Sequence, residues 1–213
     1  MSQNPPPPRP APKPGRIKAF KALYPYTAQQ EDELSFEEGD VLYVEDGQEA
    51  SGWWRATSKG VTGLIPSNYV GTNTELIDFP LHEAAKRGNV EYLRDSLQSG
   101  VSVNGLDKSG STALYWSAHG GHVTCAQILL AVPRVSLDAQ NKLGDTALHA
   151  AAWKGHTGLV SMLLEAGAQP SIQNSDGKTP LQLAQKSPEA AALILRATSS
   201  SANVNGYEDS DSD

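Results

Sequence analysis

Five histidines and one cysteine are the side chains of this 213-residue chain whose chemistry could support catalysis or metal binding: His82, His119, His122, His149, His156 and Cys125. The chain has no second cysteine and no pattern of carboxylates around the histidines, so their spacing does not predict a zinc site. The sequence also lacks a nucleophile elbow, a phosphate-binding loop and a metalloprotease motif. We therefore expect no enzymatic activity, no bound metal and no cofactor.

The spacing of the histidines reflects an internal repeat. The segment 144–156 (GDTALHAAAWKGH) recurs at 110–122 (GSTALYWSAHGGH), more weakly at 80–88 (PLHEAAKRG) and in part at 176–184 (DGKTPLQLA). One leucine anchors each copy, and these leucines are 33, 34 and 33 residues apart: Leu81, Leu114, Leu148 and Leu181. A period near 33 with a T-P-L-H-x-A signature resembles the ankyrin repeat. The resemblance implies an all-α solenoid with repeats at 79–108, 111–142 and 145–175 and a partial capping repeat at 178–197.

The repeat explains most of the histidines without invoking chemistry. Threonine is expected to cap the first helix of a repeat, and glycine to end that helix with positive φ. The helix-ending glycines are Gly88, Gly121 and Gly155. By the resemblance, His82 and His149 hydrogen-bond backbone between repeats, while His122 and His156 bond turn backbone. Cys125 lies on the apolar face of a second helix, which favours a core role.

The N-terminal third contains short apolar segments separated by turn residues, a pattern typical of a small β-barrel. Four further segments stand in order: 22–26 (ALYPY), 33–40 (ELSFEEGD), Trp53-Trp54 and 63–70 (GLIPSNYV). Together they resemble the SH3 domain, with Pro25 in place of the usual Asp. We assign this domain to 17–72. The fold class is therefore multidomain: an all-β SH3 barrel followed by an all-α ankyrin solenoid, with disordered termini.

The SH3 resemblance implies a groove for proline-rich peptides, because such domains hold proline rings between aromatic side chains. Carried over by motif, the groove residues are Tyr24, Tyr26, Trp53, Pro66 and Tyr69, with Asn68 as a hydrogen-bond donor. Acidic residues of the preceding loop would pair with the ligand's Arg or Lys: Glu31, Asp32 and Glu33. The alternative is that the aromatic residues form core and the acids a solvated loop. Trp54 is expected to be structural or to lie at the rim.

A second partner surface is expected on the repeats, since ankyrin repeats bind through finger tips and inner helices. The projected residues are Lys86, Arg87, Trp116, His119, Trp153 and Lys154. His119 occupies a position that faces the concave side in ankyrin repeats. Exposed tryptophans are favoured interface anchors. The alternative is that Trp116 and Trp153 pack on each other or on the adjoining repeat.

Both ends of the chain are compositionally biased. The arm 1–16 is proline-rich and is expected to be a solvated polyproline-II segment. It could itself be a ligand, but Gly15 stands where an R-x-x-P-x-x-P pattern starting at Arg9 needs its last proline. The tail 198–213 is polar and acidic and is expected to be disordered. Within it Ser210, with Asp213 three residues later, resembles an acidic-directed phosphorylation site; a plain solubilising tail is the alternative.

Composition excludes several classes of function. The formal net charge of −7 argues against nucleic-acid binding that relies on phosphate attraction. No apolar run approaches the ~20 residues of a membrane span, so membrane insertion is not expected. A single cysteine allows no intrachain disulfide, which favours an intracellular location and a monomeric chain.

The order of arm, SH3 domain, ankyrin repeats and acidic tail resembles a family of SH3–ankyrin adaptors, most closely at 86–89 (KRGN) and 141–155 (NKLGDTALHAAAWKG). The resemblance implies a cytoplasmic adaptor with proline-rich ligands, including Src-linked signalling proteins, and a second, unidentified ankyrin ligand. It also implies an indirect role in promoting osteoclast formation and bone resorption. The alternative function is an ankyrin-based inhibitor that masks a single partner, with the SH3 domain auxiliary.

Overall fold

The computed structural model describes residues 17–45 and 52–204. The proline-rich arm 1–16, and the part of the acidic tail that contains Ser210, lie outside the described residues. The chain divides into two units between Asp78 and Phe79. The first unit is built on a β-sheet and the second on helix pairs, which confirms the expected fold class.

The sheet of the first unit has five antiparallel strands in the order β4-β3-β2-β1-β5. The strands are β1 (Ile17–Ala22), β2 (Val41–Glu45), β3 (Trp53–Ser58), β4 (Val61–Pro66) and β5 (Thr74–Ile77). A short helix, α1 (Ser67–Thr72), lies between β4 and β5. Alternating side chains close the core on one face, where eight residues are buried: Ala22, Leu34, Phe36, Leu42, Val44, Ala56, Ile65 and Val70.

Strand β5 is a correction to the expected end of this domain at residue 72. Thr74–Ile77 pairs with β1 in an antiparallel register that runs from Ala22↔Thr74 to Ala19↔Ile77. Its segment has only four residues (TELI), too few for periodicity alone to identify a strand. Because β5 satisfies the outer edge of β1, the sheet of the first unit extends to Ile77.

The second unit consists of helix pairs. Its helices are α2 (Pro80–Arg87), α3 (Val90–Gln98), α4 (Ala113–Gly120), α5 (Val123–Leu130), α6 (Ala147–Lys154), α7 (Thr157–Glu165), α8 (Pro180–Leu183) and α9 (Pro188–Val204). The predicted caps are present: Thr112 and Thr146 accept hydrogen bonds from the third residues of α4 and α6. The helix-ending glycines adopt positive φ, as expected: Gly88 (70°), Gly121 (78°) and Gly155 (77°).

The core of this unit runs through the whole stack. Leu81, Leu114 and Leu148 are fully buried, whereas Leu181 of the last repeat is only half-buried because no further repeat covers it. Cys125 is 1% exposed and packs in this core, and burial raises the pKa of its thiol. The structure thus agrees with a core role for the cysteine.

The last helix is longer than the sequence indicated. The tail was expected to be disordered from residue 198, yet α9 extends over Pro188–Val204. Ser187 caps it, accepting a hydrogen bond from the Ala190 N–H at 3.1 Å. The run of small residues after Leu195 offers little apolar periodicity, which is why the helix end was placed too early.

Candidate binding sites

An aromatic cluster forms the floor of the candidate groove in the first unit. Tyr26 stacks on Phe36 at 5.6 Å between ring centroids, and Tyr69 meets both rings edge-on at 6.0 and 5.2 Å. The Tyr69 hydroxyl donates to the Tyr24 carbonyl, which ties α1 to the segment after β1. Tyr26 and Tyr69 are therefore half-buried rings with fixed orientation, while Tyr24 is 61% exposed.

The neighbouring tryptophans have different surroundings because successive side chains of a strand point to opposite faces. Trp54 packs against the buried core. Trp53 is 37% exposed and lies opposite Pro66 in the ladder between β3 and β4. Half-buried Pro66 leads directly into α1, which carries exposed Asn68 and then Tyr69. The structure thus agrees with a structural role for Trp54 and leaves Trp53 exposed.

The three acidic residues of the loop do not share one environment. The Glu33 carboxylate accepts hydrogen bonds from the Tyr26 hydroxyl at 2.9 Å and from the Gln29 N–H at 2.7 Å. Burial, and then the bond and charge of Glu33, raise the pKa of Tyr26. Glu31 and Asp32 are exposed. Glu33 therefore holds the loop together, whereas the carboxylates of Glu31 and Asp32 face solvent.

A second cluster of rings crosses two repeats of the helical unit. His119 lies between Trp116 at 5.6 Å and Trp153 at 5.9 Å, measured between ring centroids, and stacks on Tyr115 at 6.2 Å. Burial lowers the pKa of His119, and the charges of Lys154, His156 and Lys86 lower it further. Four rings from α4 and α6 thus form one row, in which Trp153 is 46% exposed.

Lysines border this row at both ends. Lys86 Nζ lies 4.9 Å from the centre of the Trp116 ring. Lys154 and Lys186 place their Nζ atoms 4.2 and 5.7 Å from the centre of the Trp153 ring. We call this set the aromatic–lysine surface; its members are Lys86, Tyr115, Trp116, His119, Trp153, Lys154 and Lys186.

Trp116 has a structural partner as well as an exposed part. Its indole N–H donates to Asp107 at 2.7 Å, and the same carboxylate accepts from the N–H groups of Ser109 and Ser111. Burial raises the pKa of Asp107, but the hydrogen bonds from Ser109, Trp116 and Ser111 outweigh it and leave the pKa below its ordinary value. Asp107 therefore fixes the Trp116 ring, whereas Trp153 is 46% exposed.

Unlike the projected surface, the aromatic–lysine surface lacks Arg87 and includes Lys186. Arg87 pairs with Glu83 on its own helix at 3.2 Å. Lys186 was not among the projected residues, although it precedes Ser187 as Lys154 precedes the equivalent Gly155. The repeat register could have identified it, but the irregular fourth repeat concealed the match.

The remaining histidines bond backbone carbonyls of the stack; His149 bonds the next repeat as expected, whereas His122 and His156 bond carbonyls of helices rather than of turns. His82 donates through Nε2 to the Gly105 carbonyl at 2.9 Å, and His149 donates to the Lys178 carbonyl at 3.1 Å. His122 and His156 donate to the Lys86 and His119 carbonyls of the preceding repeats, at 3.0 and 3.3 Å. His122, His149 and His156 thereby join successive repeats, whereas the His82 bond lies within the first repeat, 79–108.

Comparison with known proteins identifies both modules. The model of the variant SH3 domain matches residues 22–71. The model of ankyrin repeats (3 copies) matches residues 56–140, 81–174 and 131–207. Both modules are non-catalytic interaction domains, so the chain is an SH3–ankyrin protein of the adaptor class.

Similar proteins cover nearly the whole chain. Osteoclast-stimulating factor 1 of Bos taurus is 52% identical over 98% of this chain and 99% of that protein. The same protein of Xenopus laevis is 52% identical over 97% and 99%, and that of Danio rerio is 50% identical over 97% and 99%. The chain belongs to the osteoclast-stimulating factor 1 family. Among the residues that the structure describes, no helix is long and apolar enough to cross a membrane.

Proposed function

We propose that the chain is a cytoplasmic, non-catalytic, monomeric adaptor that holds a proline-rich partner in its SH3 groove and a second protein on its ankyrin repeats. The observation that carries the first half is the pairing of partly exposed Trp53 with Pro66, beside the fixed rings of Tyr26 and Tyr69. Flat walls of this kind fit a preformed polyproline helix, which loses little entropy on docking.

The acidic loop would select ligands with a basic residue. Glu31 and Asp32 are exposed and can meet an Arg or Lys without breaking contacts inside the domain. Glu33 is assigned a positioning role, because its carboxylate is already held by Tyr26 and Gln29. This differs from the expectation that all three acids pair with the ligand.

The aromatic–lysine surface supports the second half of the proposal. Tryptophan and tyrosine are enriched in protein interfaces, and the row combines exposed Trp153 with lysines that lie on its face. An inhibitor that masks one partner through the repeats remains the second candidate. That function needs only one site, whereas an adaptor needs both sites occupied together.

Within the family, we propose that the chain acts in Src-linked signalling and indirectly promotes osteoclast formation and bone resorption. This part of the proposal comes from the resemblance and from the name of the relatives, osteoclast-stimulating factor 1. Loss of the chain from osteoclast precursors should reduce bone resorption, and a Trp53→Ala chain should fail to restore it.

Chemical-shift mapping tests the groove directly. A basic P-x-x-P peptide added to the full chain should shift the Trp53 indole N–H and the Asn68 side-chain amide. The Trp116 and Trp153 indole signals should not move, because they belong to the other unit. Shifts confined to the repeats would contradict the proposal.

A further inference from the structure

We propose that the aromatic–lysine surface binds an extended acidic segment of a partner protein, with an aromatic or apolar side chain of that segment against Trp153. The inference rests on the proposed function, since it names the chemistry of the second partner. The proposed occupant of the surface is a segment of a separate protein and not a part of this chain.

Charge is the first reason. The chain as a whole carries a formal charge of −7, yet three lysines gather on this row. Within residues 17–45 and 52–204, no carboxylate forms an ion pair with Lys86, Lys154 or Lys186. Two acids near the row are already engaged: Glu83 pairs with Arg87, and Asp107 accepts the Trp116 indole. The surface therefore offers positive charge to an incoming anion.

The length of the row is the second reason. Lys86 lies in the last turn of α2, Trp116 lies in α4, Lys154 ends α6 and Lys186 follows α8, so the surface crosses four successive repeats. Packed helices lie about 8–10 Å apart, which gives a length of roughly 25–30 Å. An extended peptide advances about 3.3 Å per residue, so a segment of about eight or nine residues would follow the whole row.

The rings explain why the segment should also carry an apolar or aromatic side chain. Trp153 is 46% exposed with cations on its face, and its neighbour His119 is half-buried. When carboxylates of the partner draw Lys154 and Lys186 toward themselves, the indole face becomes available for packing. Aromatic packing of this kind adds to the affinity of charge pairs that solvent would otherwise weaken.

The acidic tail of this chain is too short to be the occupant. Helix α9 begins two residues after Lys186, and its 17 residues carry the chain about 24 Å away along the helix axis. The segment 205–213 spans at most about 30 Å when fully extended. It could return to Lys186 but could not continue past Trp153 and Trp116 to Lys86, which lies three repeats from Lys186.

Fluorescence anisotropy with the full chain tests the proposal. The probe is a labelled nonapeptide in which Asp and Glu flank a central tyrosine, and its control is the same peptide with Asn and Gln. The acidic peptide should bind, and its affinity should fall as ionic strength rises. The neutral peptide should bind at least about 10-fold more weakly. Equal binding of the two peptides would overturn the proposal.

Paired variants locate the site. Lys86→Glu with Lys154→Glu should weaken the acidic peptide at least about 10-fold. Lys142→Glu with Lys178→Glu makes the same change of charge on exposed lysines outside the row and should weaken it less than about 2-fold. Trp153→Ala should also weaken binding without changing the charge. Equal losses from the two lysine pairs would show non-specific attraction and overturn the proposal.

Two further measurements separate the remaining explanations. Deleting 205–213 should leave the affinity for the acidic peptide within about 2-fold; a gain of about 10-fold would identify the tail as the occupant and overturn the proposal. The lysine variants should keep the affinity of the parent for a basic P-x-x-P peptide. If the parent chain does not bind the basic P-x-x-P peptide at all, the proposed function of the groove is contradicted instead.

Discussion

Peptide binding in the groove should depend most on Trp53. Of the two adjacent tryptophans in β3, Trp53 is the more exposed, whereas Trp54 packs against the core. Trp53→Ala removes a flat wall next to Pro66 and should cost about 2 kcal/mol or more of binding free energy. Affinity for a basic P-x-x-P peptide should therefore fall roughly 30-fold, as measured by calorimetry. Val61→Ala, which truncates another exposed apolar side chain of the barrel, is the control and should bind like the parent.

The acidic loop provides a second test at the scale of single residues. Glu31→Gln with Asp32→Asn should weaken basic peptides most at low ionic strength, because exposed charges are screened by salt. Glu33→Gln should instead lower the stability of the first unit by about 1 kcal/mol, since a neutral amide is a weaker acceptor for Tyr26 and Gln29. Denaturation and peptide titration of the two variants distinguish these roles. A loss of affinity in Glu33→Gln without a loss of stability would contradict the assignment.

At the scale of the helix, the N-terminus of α6 predicts a pH dependence. His149 Nδ1 accepts from the Thr146 N–H at 3.1 Å, while Nε2 donates to Lys178, so the bonded ring is neutral. Burial lowers the pKa of His149 below its ordinary value of 6.5, although its backbone bonds act in the opposite direction. The stabilisation is complete above pH 6.5 and is lost as pH falls below that value.

The fourth repeat shows which residue can replace His149 without loss of the hydrogen bond at the helix start. In α8, Gln182 Oε1 accepts from the Thr179 N–H at 2.9 Å, the same arrangement without a titrating ring. His149→Gln should therefore reduce the fall in Tm of the helical unit between about pH 7 and about pH 5. Gln182→His, at an exposed position, is the control and should leave the pH profile close to that of the parent. An unchanged slope in His149→Gln would show that this ring does not titrate on unfolding.

Substitution of the glycines that end α4 and α6 distinguishes the cost of backbone strain from the cost of a clash between repeats. Gly121 and Gly155 share positive φ, so replacing either by Ala should cost about 1–2 kcal/mol. A Cβ at Gly121 would also lie 2.8 Å from the His156 ring, whereas at Gly155 the nearest atom is Ser187 Cβ at 3.5 Å. Gly121→Ala should therefore lower the stability to urea more than Gly155→Ala. Equal costs would mean that the His156 ring moves freely.

At the scale of the whole molecule, the repeat period predicted most of the helical unit, because the same caps, glycines and buried leucines recur in each copy. Strand β5 and the full length of α9 were not predicted, since β5 has only four residues, the end of α9 consists mostly of small and polar residues, and β5 forms by pairing with β1. Spacing placed Trp116, His119 and Trp153 near one surface. It could not show that Asp107 holds one indole, that Glu33 is engaged within its loop, or that Lys186 completes the row.

The central claim is that both surfaces can be occupied together, and a bridging experiment tests it most directly. Beads that carry a basic P-x-x-P peptide are incubated with the full chain and then with the labelled acidic nonapeptide. The proposed adaptor should retain the label on the beads. The beads should not retain the Trp53→Ala chain. They should retain the chain with Lys86→Glu and Lys154→Glu, but that chain should not hold the labelled peptide. If the parent chain is retained but binds the acidic peptide only when the proline-rich peptide is absent, the two sites exclude each other and the adaptor function is wrong.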